Sequence, residues 1–598
     1  MADRGAKTGQ TSPPAGTGFV PGLGEAFRIN LSTGQGVYSY KLPLPDGVGG
    51  HTPALSLEYA HGVTSGPFGL GWRLGLRTIA RRLDFGTQGG PDGDDGDLVE
   101  RFTDSGAELM PIADGTFRAM TETSFARYRR AGDGWRIEER NGLVHELGTT
   151  AASRSADPDD PTRVHEWLLD RTRDPSGNEI IYSYLFDEGI AYPAEIRYAA
   201  YAVRFVYEDR PDVRTDGRMG FSRRRTRRGT TVELFLDPGA NERRIRSWAM
   251  TYALEPSSGV SLLTAIRLTS HGAAADGSED VVRAPVTFGY TGFDPRTPLV
   301  EWMEPDDDGS SGQPPALTDP DVALITLDNA PLPGVLQIRN GRQYYWPNRG
   351  DGRWGAPSPL GTTPRVDSFV DDGVLFIDAD ASGTADLVLA GGDGPPGYYE
   401  NGGRDGWRRF VAYPRGTSAV PPWSSGRIRL TDIDGDGRID AVESGDRAFA
   451  VWRNRGDQGW AAPLLAPKGQ GDERPDVDFS DPLTLLADMN GDGLADLVRI
   501  SSGRVEYWPS LGRGRFGDRV TMVDAPRLRD LQRSPQSVTL VDVDGDGCAD
   551  LVRVTAEGAV IAVNRNGASF ADPVLIDTVP APIPGTLRAV NIAGRAGA

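Results

Sequence analysis

Asp432-Ile433-Asp434-Gly435-Asp436-Gly437-Arg438-Ile439-Asp440 is the key to the architecture, because the chain repeats it. It returns as Asp488-Met489-Asn490-Gly491-Asp492-Gly493-Leu494-Ala495-Asp496 and as Asp542-Val543-Asp544-Gly545-Asp546-Gly547-Cys548-Ala549-Asp550. A further copy, Asp378-Ala379-Asp380-Ala381-Ser382-Gly383-Thr384-Ala385-Asp386, keeps the pattern with Ser382 at the fifth position. In chain order the four copies start 54, 56 and 54 residues apart. A weaker copy starts at Asp328, 50 residues before Asp378, and has lost its other acidic positions. Two landmarks keep the same register. A strand after each copy ends at a polar residue: Asn348, Asn401, Asn454, Ser510 and Asn564. A turn then leads to an aromatic: Trp354, Trp407, Trp460, Phe516 and Phe570. A period near 50 with several strands per unit predicts a β-propeller over residues 321–598, with five readable blades. Val590–Gly594 overlays Val541–Gly545 and opens a sixth blade that the sequence truncates at Ala598, so a longer polypeptide is expected.

The acidic positions carry the chemistry. In D-x-[DN]-x-D-G-x-x-D, side chains at positions one, three, five and nine can converge on one cation. Those residues are Asp378, Asp380, Ser382 and Asp386; Asp432, Asp434, Asp436 and Asp440; Asp488, Asn490, Asp492 and Asp496; Asp542, Asp544, Asp546 and Asp550. Hard oxygen donors in a short glycine-permitted loop suit Ca²⁺. An EF-hand shares the spacing but needs a bidentate Glu at position twelve and flanking helices. Position twelve is Leu389, Glu443, Arg499 and Arg553, and Asp496-Leu497-Val498-Arg499-Ile500 reads as a strand, so EF-hands are rejected. The plain reading is structural: calcium staples a strand turn and neutralises its carboxylates, with no catalytic part; the alternatives are loops that fold without metal and loops that bind a ligand directly.

Before the repeats the texture differs. Residues 1–17 read as a flexible leader and residues 18–299 as one large antiparallel β domain. Leu55, Leu57 and Tyr59 alternate with Ser56 and Glu58, as a half-buried strand requires. Val37–Leu42 precedes them, with the turn Pro45-Asp46-Gly47 between. Similar runs are Glu179–Tyr184, Ala202–Tyr207, Thr231–Leu236 and Val286–Tyr290. Residues 300–320, with Asp306-Asp307-Asp308-Gly309 and Pro314-Pro315, have linker composition. Across all 598 residues, 77 Gly and 45 Pro favour tight turns over helices, so the fold class is all-β.

Charge and cysteine content exclude several functions. Asp and Glu total 84 against 64 Lys and Arg, a net charge of -20, which repels nucleic-acid phosphates. The single Cys548 excludes an internal disulfide framework and a multi-cysteine zinc site. It sits at a variable loop position and reads as a small packed side chain. No run is apolar enough to span a bilayer, and Met1–Thr17 lacks the apolar core of a signal peptide. Export is therefore expected by a specialised route or lysis, after a cytoplasmic stage. His51, His61, His145, His165 and His271 show no metal-ligand spacing and no pairing with an evident Ser or Cys nucleophile. Arg223, Arg224, Arg225, Arg227 and Arg228, with Arg243, Arg244 and Arg246, read as a solvated turn or as internal partners of the acidic excess. Gly391-Gly392-Asp393-Gly394 lacks the Lys of a phosphate loop and reads as a turn.

The N-terminal stretch also carries a resemblance. Gly34-Gln35-Gly36-Val37-Tyr38-Ser39-Tyr40, Pro43-Leu44-Pro45, Thr52–Tyr59 and Gly66-Pro67-Phe68-Gly69-Leu70-Gly71-Trp72 resemble the start of the SpvB-type domain of bacterial virulence proteins. With FG-GAP-like repeats behind it, the order resembles the first part of the B component of Tc (toxin complex) insecticidal toxins. The resemblance implies a propeller that docks on a channel-forming A-type component. It also implies a shell, built with a C-type component, around a toxic payload. The later repeats such a shell needs are not visible here. SpvB itself couples this domain to an ADP-ribosyltransferase. Glu138-Glu139 is an adjacent pair, not the spaced acidic pair that activity needs. The expectation is thus a non-catalytic toxin-assembly subunit. The alternatives are a secreted integrin-like or lectin-like adhesion propeller, and a cryptic enzyme.

Overall fold

Strands make up nearly all regular structure in the computed structural model. It describes residues 26–577 apart from 30–35, 63–64, 84–100, 113, 123, 240–241, 273–278, 297–303, 306–312, 318, 328–331, 351–352, 370–372, 381, 392–393, 415, 417 and 470–472. The expected leader, Asp328, part of Gly391–Gly394 and the expected sixth copy at Val590–Gly594 lie outside the described residues. Among the described residues the helices are short 3-10 turns, and none is long and apolar enough to cross a membrane.

The chain opens on a four-stranded antiparallel sheet: Ala26–Ile29, Gly36–Lys41, Ser56–Ala60 and Trp72–Leu74. Its last strand follows a tight turn in which the Gly66 and Gly69 backbones hydrogen-bond each other. A Cβ on Gly66 would lie 1.8 Å from the Trp72 carbonyl oxygen, so only glycine admits this crossing. Phe68 and Trp72 beside it are buried, and the Trp72 indole donates to the Tyr290 hydroxyl at 2.9 Å.

Seven strands then pair in succession: Thr78–Arg81, Phe102–Asp104, Ala107–Pro111, Phe117–Ala119, Arg127–Ala131, Gly134–Glu138 and Val144–Leu147. Val164–Arg173 closes them into an eight-stranded barrel by pairing with both Val144–Leu147 and Thr78–Arg81. Aromatic side chains fill it: Trp135 meets Phe102 at 4.8 Å and Phe117 at 5.2 Å between ring centroids, all edge to face. The composition had suggested a single antiparallel domain; the closure is new. Val164–Arg173 also roots a long meander. Glu179–Asp187, Ile190–Tyr198, Tyr201–Asp216, Arg223–Leu236, Arg243–Leu254 and Ser261–Ser270 follow in order. One buried apolar cluster runs through sheet, barrel and meander.

Five four-stranded antiparallel sheets follow, spanning residues 322–359, 374–412, 428–467, 484–521 and 538–576. Buried clusters join consecutive sheets. Leu336 and Leu387 share one, Val388 and Ala441 the next, Val442 and Leu497 a third, Val498 and Leu551 a fourth. Glu304–Pro305, inside the expected linker, pairs in parallel with Arg353–Trp354, which pairs in turn with Asn348–Gly350 in a small separate sheet.

Candidate metal centres

Each acidic loop joins the first strand of a sheet to its second, and its ninth residue begins that second strand. The first Asp organises the turn. Asp432 accepts from the Gly435 and Gly437 backbones, each at 2.8 Å, and Asp488 accepts from Gly491 and Gly493 at 2.7 Å. Gly435, Gly437, Gly491, Gly493, Gly545 and Gly547 all take positive φ, which explains the paired glycines. The ninth Asp is buried in every copy: Asp386, Asp440, Asp496 and Asp550. It accepts from the second loop residue's backbone and from that of the polar landmark, as when Ala379 and Asn401 donate to Asp386 at 3.0 and 2.9 Å.

The landmarks thereby acquire a cause. Asn401 lies opposite Trp407, Asn454 opposite Trp460, Ser510 opposite Phe516 and Asn564 opposite Phe570. The asparagine side chains also reach the preceding repeat. Asn454 Nδ2 donates to the Asp378 carbonyl at 3.4 Å, and Asn564 Nδ2 to that of Met489 at 2.8 Å.

Three copies bring the first, third and ninth carboxylates together. Asp378, Asp380 and Asp386 each place an oxygen within 4.8 Å of the others, as do Asp432, Asp434 and Asp440, and Asp542, Asp544 and Asp550. The fifth residues stand outside these clusters. Asp436, Asp492 and Asp546 each accept from the backbone two residues on, at 2.8 to 2.9 Å. The Asp488 copy has an amide, Asn490, in the third position, where its Oδ1 accepts from the Asp492 backbone at 3.0 Å.

The charge balance of the clusters is unfavourable without a cation. Burial, reinforced by the neighbouring carboxylates, pushes Asp550 up to about 8 and Asp386 up to about 6. Asp434, Asp440, Asp496 and Asp544 are raised by the same causes. Asp434 Oδ1 is buried without a hydrogen-bond partner among the described residues. An all-oxygen donor set, mutual repulsion and an orphaned oxygen fit a hard divalent cation.

Two loops also meet the N-terminal part, through contacts that sequence reading missed. The Gly217 backbone donates to Asp492 Oδ2 at 2.7 Å, and Arg214 Nη2 pairs with Asp546 Oδ2 at 3.1 Å. Arg214 also lies 3.4 Å from Cys548 Sγ, which is buried. Arg565 fastens the fifth sheet by donating to the Pro256 and Ser257 carbonyls. Much of the arginine run has internal partners: Arg223 with Asp216, Arg227 with Asp187, Arg228 with Glu208.

The histidines hold one correction. His271 Nε2 lies 2.8 Å from Ser247 Oγ and its Nδ1 lies 2.8 Å from Asp280 Oδ2, so His271 does meet a serine. The three are separated in sequence and no motif announces them. Ser247 sits inside a strand paired on both flanks, opposite Glu233 and Thr269, so its backbone N–H is not placed to bind a developing oxyanion. His145 is held by Thr172 and Glu139, and burial drives His165 well below the usual histidine range.

Comparisons with known proteins match both parts. Residues 32–200 match the SpvB family, described as Salmonella virulence plasmid 65kDa B protein, and residues 488–553 match the FG-GAP-like repeat. The mono(ADP-ribosyl)transferase SpvB of Salmonella typhimurium (strain 14028s / SGSC 2262) is 33% identical over 197 residues, covering 29% of this chain and 33% of that protein. SpvB of Salmonella dublin matches to the same extent. The match thus spans about a third of the length of these relatives. Among solved structures, a chain of the Photorhabdus luminescens Tc holotoxin pore is 25% identical, with a TM-score of 0.79 over 95% of this chain and 30% of that one. A TcdB2–TccC3 crystal structure shares the fold at 23% identity, with a TM-score of 0.65 over 95% of this chain and 31% of that one. Residues 32–200 are accordingly an SpvB-family segment, and residues 488–553 carry an FG-GAP-like repeat.

Proposed function

We propose that this chain is a non-catalytic subunit of a secreted toxin complex, built from an SpvB-like part and a calcium-stapled β-propeller. The propeller docks on a channel-forming A-type component. The SpvB-like part joins a payload-carrying C-type component in encapsulating or secreting the toxin. One observation carries this reading: likeness over 95% of the chain to a chain of a Tc holotoxin pore, at a TM-score of 0.79. The propeller form is favoured by five consecutive sheets of like topology joined pairwise by buried clusters. Calcium is favoured by the carboxylate clusters at Asp378, Asp432 and Asp542, whose first, third and ninth side chains would hold it. Its charge would let those carboxylates stay ionised and fix the turn between the first two strands.

The test is capture of the purified chain by an immobilised channel-forming toxin component. Retention that is lost when residues 321–598 are deleted is expected. Equal capture of the deleted chain would overturn the assignment of docking to the propeller. The non-catalytic reading has its own test, because Ser247, His271 and Asp280 stand in hydrogen-bonded order. A fluorophosphonate should leave Ser247 unlabelled, and labelling lost in His271→Ala would reveal a nucleophile.

A further inference from the structure

A small, partly open cleft lies where the N-terminal part meets the third acidic loop. Arg214, Arg218, Arg223 and Arg225 line it on one side, and Asn490 and Asp492 on the other. The arginines come from a hairpin whose strands run to Asp216 and begin at Arg223. Cross-strand register sets Arg214 opposite Arg225 and Asp216 opposite Arg223. Two like charges directly opposite each other are unfavourable unless something neutralises them.

Their partners do so incompletely. Arg214 pairs with Asp546, and Arg218 and Arg223 share Asp216. Asp492 spends one oxygen on the Gly217 backbone and the other on that of Leu494. Among the described residues, Arg225 has the Ser65 carbonyl, at 2.8 Å, and no carboxylate partner. Burial, with Arg223 and Arg210 nearby, brings its guanidinium down to about 10.

The unfilled hydrogen bonds all have one polarity. Arg214 Nε, Arg223 Nε and Asn490 Nδ2 are buried and lack acceptors among the described residues, and all three residues line the cavity. Arg214 and Asn490 are 7% and 1% exposed, so bulk water does not serve them. Among the four loops, the third position is Asp except at Asn490. A carboxylate there would have paired with the arginines; the amide instead presents a donor.

We propose that this cavity is a binding site for a small inorganic oxyanion of the phosphate or sulfate class. The anion accepts from Arg214, Arg223, Arg225 and Asn490 and so bolts the hairpin to the third acidic loop. Guanidinium groups suit such a ligand because their planar donors match tetrahedral oxyanions. This inference is independent of the docking reading.

Phosphate titration of the full calcium-loaded chain at constant ionic strength, with chloride as balance, tests it. Thermal stability and ³¹P line broadening are the two readouts. A saturable rise in the melting midpoint with phosphate or sulfate, absent with chloride, is expected. Asn490→Asp restores the residue of the other loops while removing a donor and adding a negative charge. It should weaken phosphate binding roughly tenfold or more, as should Arg225→Met. Equal stabilisation by chloride, or Asn490→Asp broadening the phosphate signal as the parent does, would overturn the site.

Discussion

At the residue scale, the buried ninth Asp explains most about the repeats. Its two oxygens are used by two backbone donors, so it fixes the loop to the strand that follows, as Asp550 does with Val543 and Asn564. Burial keeps its charge unfavourable, which makes stability depend on pH when metal is removed. An unfolded Asp titrates near 3.9. Asp550 is pushed up to about 8 and Asp386 up to about 6 in the folded chain. Between those limits the folded chain holds protons the unfolded chain has released. Stability of the chelated chain is therefore greatest below about pH 4 for these groups and falls as pH rises toward about 8. Calcium, in the role proposed above, would replace those protons. Melting curves with and without calcium should show a larger calcium shift at pH 8 than at pH 5. Equal shifts would separate the metal from these carboxylates. The clustering of the first, third and ninth carboxylates was legible because it lies within nine residues. The meeting of Ser247, His271 and Asp280 was not, since sheet pairing alone brings them together.

At the element scale, near-constant intervals proved to be pairings. Asn564 and Phe570 are opposite each other across a tight turn, which fixes the distance between the landmarks. Asn564 is fully buried, donates to Met489 and Ala549, and accepts from Gly567. Asn564→Ala should destabilise by several kcal/mol, since each buried group left unsatisfied costs about 1–3 kcal/mol. Urea unfolding followed by tryptophan fluorescence measures this, and a loss below about 0.5 kcal/mol would show that water serves those carbonyls. Ser510 has a shorter side chain in the same place, and its carbonyl lies instead against Gly217. The barrel left no comparable mark. Its short strands alternate like those of any half-buried sheet, and closure rests on Trp167 facing Ile79, far apart in the chain.

At the scale of the whole molecule, the two parts meet through loops whose chemistry was already visible, but whose second role was not. Gly217 lies tightly against the repeat-side loop: an added Cβ would lie 2.0 Å from the Ser510 carbonyl oxygen. Gly217→Ala should push the hairpin off the third loop and break the bond to Asp492. Limited trypsin digestion should then separate the two parts faster than in the parent chain; an unchanged rate would mean that other contacts, such as Arg565, suffice. The repeat, the strand turns, the oxygen-rich loops and the all-β class were legible in the chain alone, because each shows in local pattern or in the recurrence of that pattern along it. Tertiary structure alone decided the barrel closure, the pairing of Arg214 with Asp546 and the donor-lined cavity. Those depend on contacts between segments distant in the chain, Ile79 opposite Trp167 and Arg214 beside Asp546, and local patterns are the same whichever partner a segment finds.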